Sequence, residues 1–543
     1  MKKIAATILI SLIAMTGYAQ SAYDALMFSE NHYEGTARSI AMGNAFTALG
    51  GDLGGVTINP AGSAVANYSQ ITITPGFTYS SSTAQGVSPY TDGSLPYFQK
   101  ATKSRMTDLN LPNIGVTFNW NTNRKSGLKN LTFGFIANQT NCWNNDTYAN
   151  GTNSTTSFMG ALATNASLNR YLDSDLGAED AYDFMPWKEV SAFQSGMIST
   201  FGGMNDQYVG ASEVIYQDSE TGDYEICLGG PLNQTYGRRT EGAKYEYILN
   251  FGGNISDFLY IGANLGFTSI TYAHDEYFME KAVNPQDFEI ALENGQSMYF
   301  QQMKYNYSYR ADGSGVFGKF GIIVTPGYGL RLGAAIQTPT VTTMNESWTE
   351  DGETTFSTQN YGAYSPYGEA QYSFTSPMRT NFGVAYTYGS LGVFSLDYEM
   401  ADYSQMRYDT NNADRAYFEE VNQDIRQRFG ISHMLRAGVE IKPTVGFAIR
   451  VGYGLTTSAE IRDSWNNPIE PLKTHTASLG LGYSSKGSFF MDAAIQTRFL
   501  NDEYYMPYDD YLFDEDGNII DYAPEIRSHR SLWKALLTFG WRF

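Results

Sequence analysis

The chain ends in a strict alternation. Trp533, Ala535, Leu537, Phe539, Trp541 and Phe543 are apolar, while Lys534, Leu536, Thr538, Gly540 and Arg542 between them are mostly polar or small. Successive side chains of a β-strand point to opposite faces. The segment therefore predicts a strand with one greasy face carrying aromatics near both ends. A soluble sheet rarely gathers two Trp and two Phe on one face of a terminal strand. A lipid-facing strand of an outer-membrane barrel does, with aromatic girdles at both interfaces and a polar lumen.

The same period recurs along the chain. Ile71, Ile73, Phe77 and Tyr79 share a face, as do Ile114, Val116, Phe118 and Trp120, and Leu131, Phe133, Phe135 and Ala137. Further sets start at Tyr245, Leu259, Val316, Leu330, Phe382, Phe394, Leu435, Phe447, Ala477 and Phe489. With the terminal strand they make about fourteen, an even number as single-chain bacterial barrels have. The connections also take turns. Short ones fall at 121–127, 253–257, 326–329, 389–392, 442–446 and 484–487, long ones at 80–110, 138–238, 275–297, 345–377, 408–433, 460–473 and 500–530. Short turns at one rim and long loops at the other are the habit of an outer-membrane barrel. The expected fold is all-β: a transmembrane antiparallel barrel over 68–543, with both chain ends in the periplasm. The long loop insertion at 138–238 folds as a cap, and 413–429 has the composition of a helix.

Composition supports this without deciding it. The 41 Tyr, 32 Phe and 54 Gly suit interface belts and tight turns. The net charge of −21, with no basic stretch, argues against nucleic acid as a partner. Residues 1–19 read as a signal peptide: Lys2 and Lys3, an apolar run from Ile4 to Met15 too short to span a bilayer, and small residues before Ala19. Cys142 and Cys227 both lie in or beside the long insertion, where a disulfide and two free thiols are both open.

The alternate face of the strands supplies the lumen. It holds Asp397, Glu399, Glu440, Asp492 and Lys534, and Glu440 and Arg450 flank one tight turn where they can pair. Most of these charges read as ion pairs filling the lumen. Arg331, Arg436, Arg450 and Arg498 are the candidate cations for an anionic ligand head. The segment 20–67 shows no strand period, is rich in small residues, and precedes the first strand. Such a segment can fold inward and plug a barrel that would otherwise hold an aqueous lumen.

Within it, Arg38, Met42-Gly43-Asn44-Ala45-Phe46, Gly51-Asp52 and Asn59-Pro60-Ala61-Gly62 resemble the N-terminal hatch of the FadL/TodX family of outer-membrane transporters. Further similarity runs through 312–315, 396–398, 435–440 and 450–454, and covers the mature chain outside 138–238. The resemblance implies a fourteen-stranded barrel, a plug of short helices, a hydrophobic ligand pocket, and passive uptake of long-chain fatty acids or aromatic hydrocarbons with lateral exit through the wall. It implies hatch roles for Asp52, Asn59, Pro60, Ala61 and Gly62. The expected partners are a hydrophobic small molecule, outer-membrane lipid, and the barrel assembly machinery through the strand ending at Phe543.

Rival classes remain on the residues alone. A general porin would lack a plug. An adhesin or structural barrel would use the 138–238 cap. Haem ligation by His or Tyr is a further alternative, although no cofactor or metal motif stands out. The acidic run 514–518 lacks ordered calcium-loop spacing. His32, His274, His433, His475 and His529 form no hydrolase-like constellation, so no enzyme is expected.

Overall fold

Every alternating segment named above forms a strand, and the strands close on themselves. In the computed structural model residues 21–543 are described, except 91–92, 94–96, 218–223, 293–294, 410–414, 464–465, 514–516 and 518. The expected signal peptide and most of the acidic run 514–518 lie outside the described residues. In chain order the wall strands are β1 (Gln70–Gly86), β2 (Thr102–Asn121), β3 (Leu128–Cys142), β4 (Asn145–Asn153), β5 (Leu232–Ile255), β6 (Leu259–Ala282), β7 (Ser297–Gly327), β8 (Leu330–Gln337), β9 (Val341–Phe356), β10 (Gly368–Thr375), β11 (Arg379–Tyr388), β12 (Gly392–Asp402), β13 (Ile431–Thr444), β14 (Phe447–Thr457), β15 (Lys473–Ser484), β16 (Phe489–Phe499) and β17 (Ile526–Arg542). All neighbours are antiparallel, β3 with β4, β8 with β9 and β10 with β11 each make one stave, and β1 pairs with β17, giving a closed barrel of fourteen staves.

Burial is inverted relative to a soluble protein. Phe77, Phe133, Phe251, Phe320, Phe382 and Leu479 are exposed on the outside, whereas Lys319, Asp397, Glu399, Glu440, Arg450 and Asp492 are buried inside. A wall solvated by hydrocarbon accounts for both. Trp533 and Trp541 stand near the two ends of the apolar face of β17.

Several strands run further than their apolar alternation. β6 and β7 stay paired from Leu259↔Val324 to Lys281↔Gln302, and β9 continues the ladder through residues expected to be loop. Beyond the hydrocarbon the outward face need not be apolar, so the sequence period fades while the hydrogen-bond ladder continues. Pro339 and Pro377 break two adjacent staves at one level, since proline cannot donate to a ladder. Side chains mend the breaks: Thr338 Oγ1 accepts from Gly318 N at 3.0 Å and Ser376 Oγ from Thr340 N at 3.2 Å.

The helix expected over 413–429 appears as α-helix Arg415–Arg428. In the long insertion, helices Phe158–Leu168 and Trp187–Gln194 pack Phe158, Met159, Leu162 and Val190 against Phe278, Phe300 and Tyr508 of the loop end. Cys142 and Cys227 are both unpaired thiols. Glu280 sits at the heart of this cap, accepting from Ser157 Oγ at 2.8 Å, Phe158 N at 2.9 Å and Gln234 Nε2 at 2.8 Å.

Residues 21–67 fill the lumen. Helix α1 (Ala22–Ser29) starts at a capping box formed by Ser21 and Asp24, and α2 (Ala37–Ala41) starts at Thr36, whose Oγ1 accepts from Ser39 N at 3.1 Å. Two tight 3₁₀ turns follow, Gly55–Thr57 and Pro60–Val65. The plug backbone lies directly on wall glycines. A methyl group at Gly262 would coincide with the Pro60 carbonyl, at Gly321 with Asn59 Oδ1, at Gly333 with Thr47 O, at Gly438 with Met42 O, and at Gly452 with Gly43 N. These glycines lie on β6, β7, β8, β13 and β14, so opposite parts of the wall grip one plug.

Two predictions follow from this packing. Gly321→Val and Gly452→Val each unseat the plug, and planar-bilayer recordings should show single-channel conductance well above the parent, in barrels that still resist unfolding in SDS at room temperature. The cap supplies the second. Burial pushes Glu280 and Glu213 up to about 7, from an ordinary value near 4.3. A carboxyl raised in the folded state contributes stability below its unfolded value and loses it as pH rises through its folded one. Limited proteolysis within 138–238 should therefore be slower at pH 5 than at pH 8.

Candidate functional site

The hatch motif is a hydrogen-bonded knot against the wall. Asn59 is wholly buried. Its Nδ2 donates to Thr47 O at 2.6 Å and to Ile322 O on β7 at 3.1 Å, and its Oδ1 accepts from Ala61 N at 3.1 Å. Pro60 opens the 3₁₀ turn, where its missing N–H costs nothing, and its carbonyl accepts from Asn250 Nδ2 on β5 at 3.0 Å. Gly62 lies inside the turn, with its carbonyl accepting from Gly51 N at 2.8 Å. Asp52 ties the earlier part, accepting from Thr36 Oγ1 at 2.7 Å and Gly54 N at 2.9 Å. The residues singled out in the sequence thus meet in one folded unit.

Wall cations hold the rest of the plug by its backbone. Lys244 Nζ donates to Phe28 O at 2.9 Å, Arg379 Nη2 to Ser29 O at 2.6 Å, and Lys319 Nζ to Thr57 O at 2.8 Å. The first two serve the C-terminal carbonyls of α1, which have no intrahelical partner. Side-chain pairs add to this: Arg38 of the plug to Glu440 at 3.0 Å, and Glu34 of the plug to Lys534.

This sorts the candidate cations. Arg331 Nη1 donates to Leu49 O of the plug at 2.6 Å. Arg436 lies 3.1 Å from Glu399, which also faces Arg379 at 3.2 Å. Arg450 bridges Glu440 and Asp492, both at 2.6 Å. The Arg498 side chain has no hydrogen bond or ion pair among the described residues, and it borders open space.

That space is a cavity of about 500 Å³ between α1, the end of β3 and strands β14–β17. Tyr23, Leu26, Met27, Trp143, Tyr272 and Leu532 give it apolar walls, and His32, Arg238, Arg498 and Arg530 give it basic groups. Phe28, Trp143 and Tyr272 form an edge-to-face trio at 5.6–5.9 Å. Arg530 is committed to Ser80 Oγ and Asn144 O, and Arg238 Nε to His274 at 3.1 Å. A narrower pocket of about 50 Å³ continues from Arg498 and His32 toward Arg436 and Gly43. Glu30, Glu460, Asp502 and Glu503 line it as well, so the cavity joins an apolar side to a charged one, and such a division suits an amphipathic molecule.

Beside the cavity the wall is split. The β2–β3 ladder ends at Asn113↔Asn138. Beyond it β2 stays with β1 while β3 follows β5, and none of residues 102–111 is buried. Among the described residues only side chains join β2 to β3 and β4 here, at Asn110 Nδ2 to Gln139 Oε1 (2.7 Å) and Ser104 Oγ to Asp146 O (2.5 Å). The plug backs it from inside, where His32 N donates to Thr140 O at 2.7 Å and Glu34 N to Gln139 O at 3.1 Å.

Sequence reasoning missed Lys244, Lys319, Arg379 and His32. The lysines and Arg379 lie on lumen-facing positions and were open to the same parity argument as Arg331. Their partners are backbone carbonyls, which carry no residue signature. Trp143 and the seam were hidden in what read as loop.

No protein-family model and no curated protein matches the chain. Among solved structures it is similar to a FadL homologue from Pseudomonas aeruginosa, at 11% identity and a TM-score of 0.47, covering 95% of this chain and 98% of that one. It is also similar to the toluene transporter TodX of P. putida (10% identity, TM-score 0.48, 94% and 99% covered) and to the CymD monoaromatic hydrocarbon channel (9% identity, TM-score 0.44, 95% and 99% covered).

The knot at Asn59 generates its own test. Asn59→Ala removes the donor to the buried carbonyl of Thr47, at about 1–3 kcal/mol for a group left unpaired, and the plug's link to the Ile322 carbonyl of β7. The barrel should still assemble, with faster hydrogen exchange confined to the plug and the strands it touches. Unaltered exchange there would show that the knot does not hold the plug.

Proposed function

We propose that the protein is a passive outer-membrane transporter for hydrophobic compounds, with long-chain fatty acids as its amphipathic substrates. The long-loop rim faces outward and both chain ends face the periplasm. The C-terminal strand ending at Phe543 engages the barrel assembly machinery. The observation that carries this reading is the conjunction of a plugged lumen, an aromatic-walled cavity with the uncommitted Arg498, and a wall seam next to it.

The physical demands fit. A long acyl chain leaves an apolar surface at a cost of about 0.8 kcal/mol per methylene. A conduit for it needs apolar surfaces in series and little open water. The ligand lies in the cavity with its chain against Leu26, Met27, Trp143 and Tyr272 and a carboxylate at Arg498. It leaves sideways between β2 and β3 once the 32–34 segment of the plug shifts. No energy source is involved, so flux follows the ligand gradient. A general porin is the poorer reading, because the plug occupies the space a porin leaves to water.

Uptake of labelled oleate and of toluene, in cells with and without the protein, tests the proposal; equal uptake in both, with the barrel shown in the parent membrane, removes it. Arg498→Leu sharpens the test. Oleate binding should weaken about tenfold, the scale of a charge-assisted hydrogen bond, with toluene unaffected. Equal loss for both ligands would place the carboxylate elsewhere.

A further inference from the structure

The outer wall carries a cationic surface that neither the plug nor the cavity uses. At the girdle the ladder aligns Trp533 of β17 with Tyr79 of β1, and Tyr79 with Thr107 of β2. Moving toward the long-loop rim, the next row on that face is Ser531, Ser81 and Arg105. The row after is His529, Thr83 and Lys103, followed by Arg527 beside Gln85. Burial fixes the parity: Lys103, Arg105, Arg527 and His529 are exposed, while Ser528 and Ala84 between them are buried.

Height places these rows. Two residues advance a strand by about 6.7 Å, and barrel strands tilt by about 40°. Each row therefore stands roughly 5 Å above the last, and the cations begin directly above the aromatic girdle, where hydrocarbon gives way to head groups. Strands β17 and β2 flank β1 at about 4.8 Å each, so cations on the two sides close on a space roughly 10 Å wide.

The charge is local, and on β2 it is uncompensated. The chain as a whole carries −21. Asp502 lies 2.7 Å from His529 and 3.8 Å from Arg527. Lys103 and Arg105 have no carboxylate partner among the described residues. Protection of an unpaired edge explains charges on β2, but β17 is paired on both sides here, Arg527 with Gln85 and Tyr504. Cations on both sides of β1, within three successive rows, need another cause.

We propose that this face of β17, β1 and β2 binds the phosphate groups of the outer-leaflet glycolipid. The inference rests on the outward orientation of the long-loop rim proposed above. Lys103 and Arg105 supply direct contacts, and Arg527 flanks them across β1. Each cation near an anionic membrane surface favours association by about fivefold.

The experiment uses the purified full-length protein in detergent and native mass spectrometry. The probes are diphosphorylated lipid A and the same lipid with both phosphates removed. The parent protein should retain the phosphorylated form at least about tenfold better, with the difference shrinking as salt rises. The triple variant Lys103→Gln, Arg105→Gln, Arg527→Gln should hold both forms equally weakly. Equal retention of the two lipids by the parent, or unchanged preference in the triple variant, overturns the proposal. If the triple variant does not give a heat-modifiable folded band, Lys103→Gln alone carries the test, with an expected loss of about fivefold. Excess oleate should leave bound lipid A in place; its displacement would overturn the assignment by making the surface a carboxylate site. Because the readout is lipid binding in vitro, it stands or falls separately from oleate or toluene uptake.

Discussion

The structure depends on backbone meeting backbone inside the barrel. A lumen bounded by fourteen staves is too wide for side chains alone to fill, and left open it would hold water. Here the main chain of the plug is pressed onto wall positions that have no side chain, at Gly262, Gly333, Gly438 and Gly452, and the Asn59 side chain onto a fifth, Gly321. Close approach brings plug carbonyls within reach of Lys244, Lys319, Arg331 and Arg379. Each of these cations is buried in whole or part, and each would be costly there without a partner. Lumen charge and plug backbone therefore satisfy each other, and neither arrangement stands alone.

This explains why the charged lumen is not a ligand-binding surface throughout. Three of the arginines suggested by strand parity are committed, Arg331 to the plug, Arg436 to Glu399, and Arg450 to Glu440 and Asp492. A buried cation bridging two carboxylates has little left for an anion from outside. Arg498 differs because it sits where the plug leaves a gap, opposite α1 and beside Trp143.

The barrel was legible because hydrocarbon imposes a rule on every spanning strand: the outward residue must be apolar. Thus Phe382, Val384 and Tyr386, or Leu479, Leu481 and Tyr483, announce their strands without help. The rule stops at the membrane edge. The outer parts of β7 and β9 are just as regularly hydrogen-bonded, yet Tyr305, Asn306 and Glu350 follow no plain apolar period, because there the outward face is wet and the inward face packs against the cap. The hatch motif was legible as a pattern, and its mechanics were not. That Asn59 reaches from Thr47 to β7 depends on Gly321 lying far away in sequence. The cavity was least legible of all, since it is defined by what α1 does not fill.

The seam and the plug belong to one mechanical unit. β3 leaves β2 after Asn138, and the next carbonyls, of Gln139 and Thr140, accept from Glu34 and His32 of the plug. His32 also lines the cavity. Moving that short stretch would strip two hydrogen bonds from β3, break the Glu34–Lys534 pair and the Tyr33–Glu399 hydrogen bond, alter the cavity floor and uncover the inner side of the split wall. Each lost bond costs only about 0.5–1.5 kcal/mol where water can replace it, far less than separating two fully laddered strands. A wall that opens must do so where the ladder is already absent, and the barrel has such a place directly beside its cavity. The glycine-seated part of the plug, from Met42 through Pro60, need not move for this. A glycine-seated part and a leading segment held by side-chain pairs can therefore coexist in one chain of residues, the first filling the lumen and the second adjoining the seam.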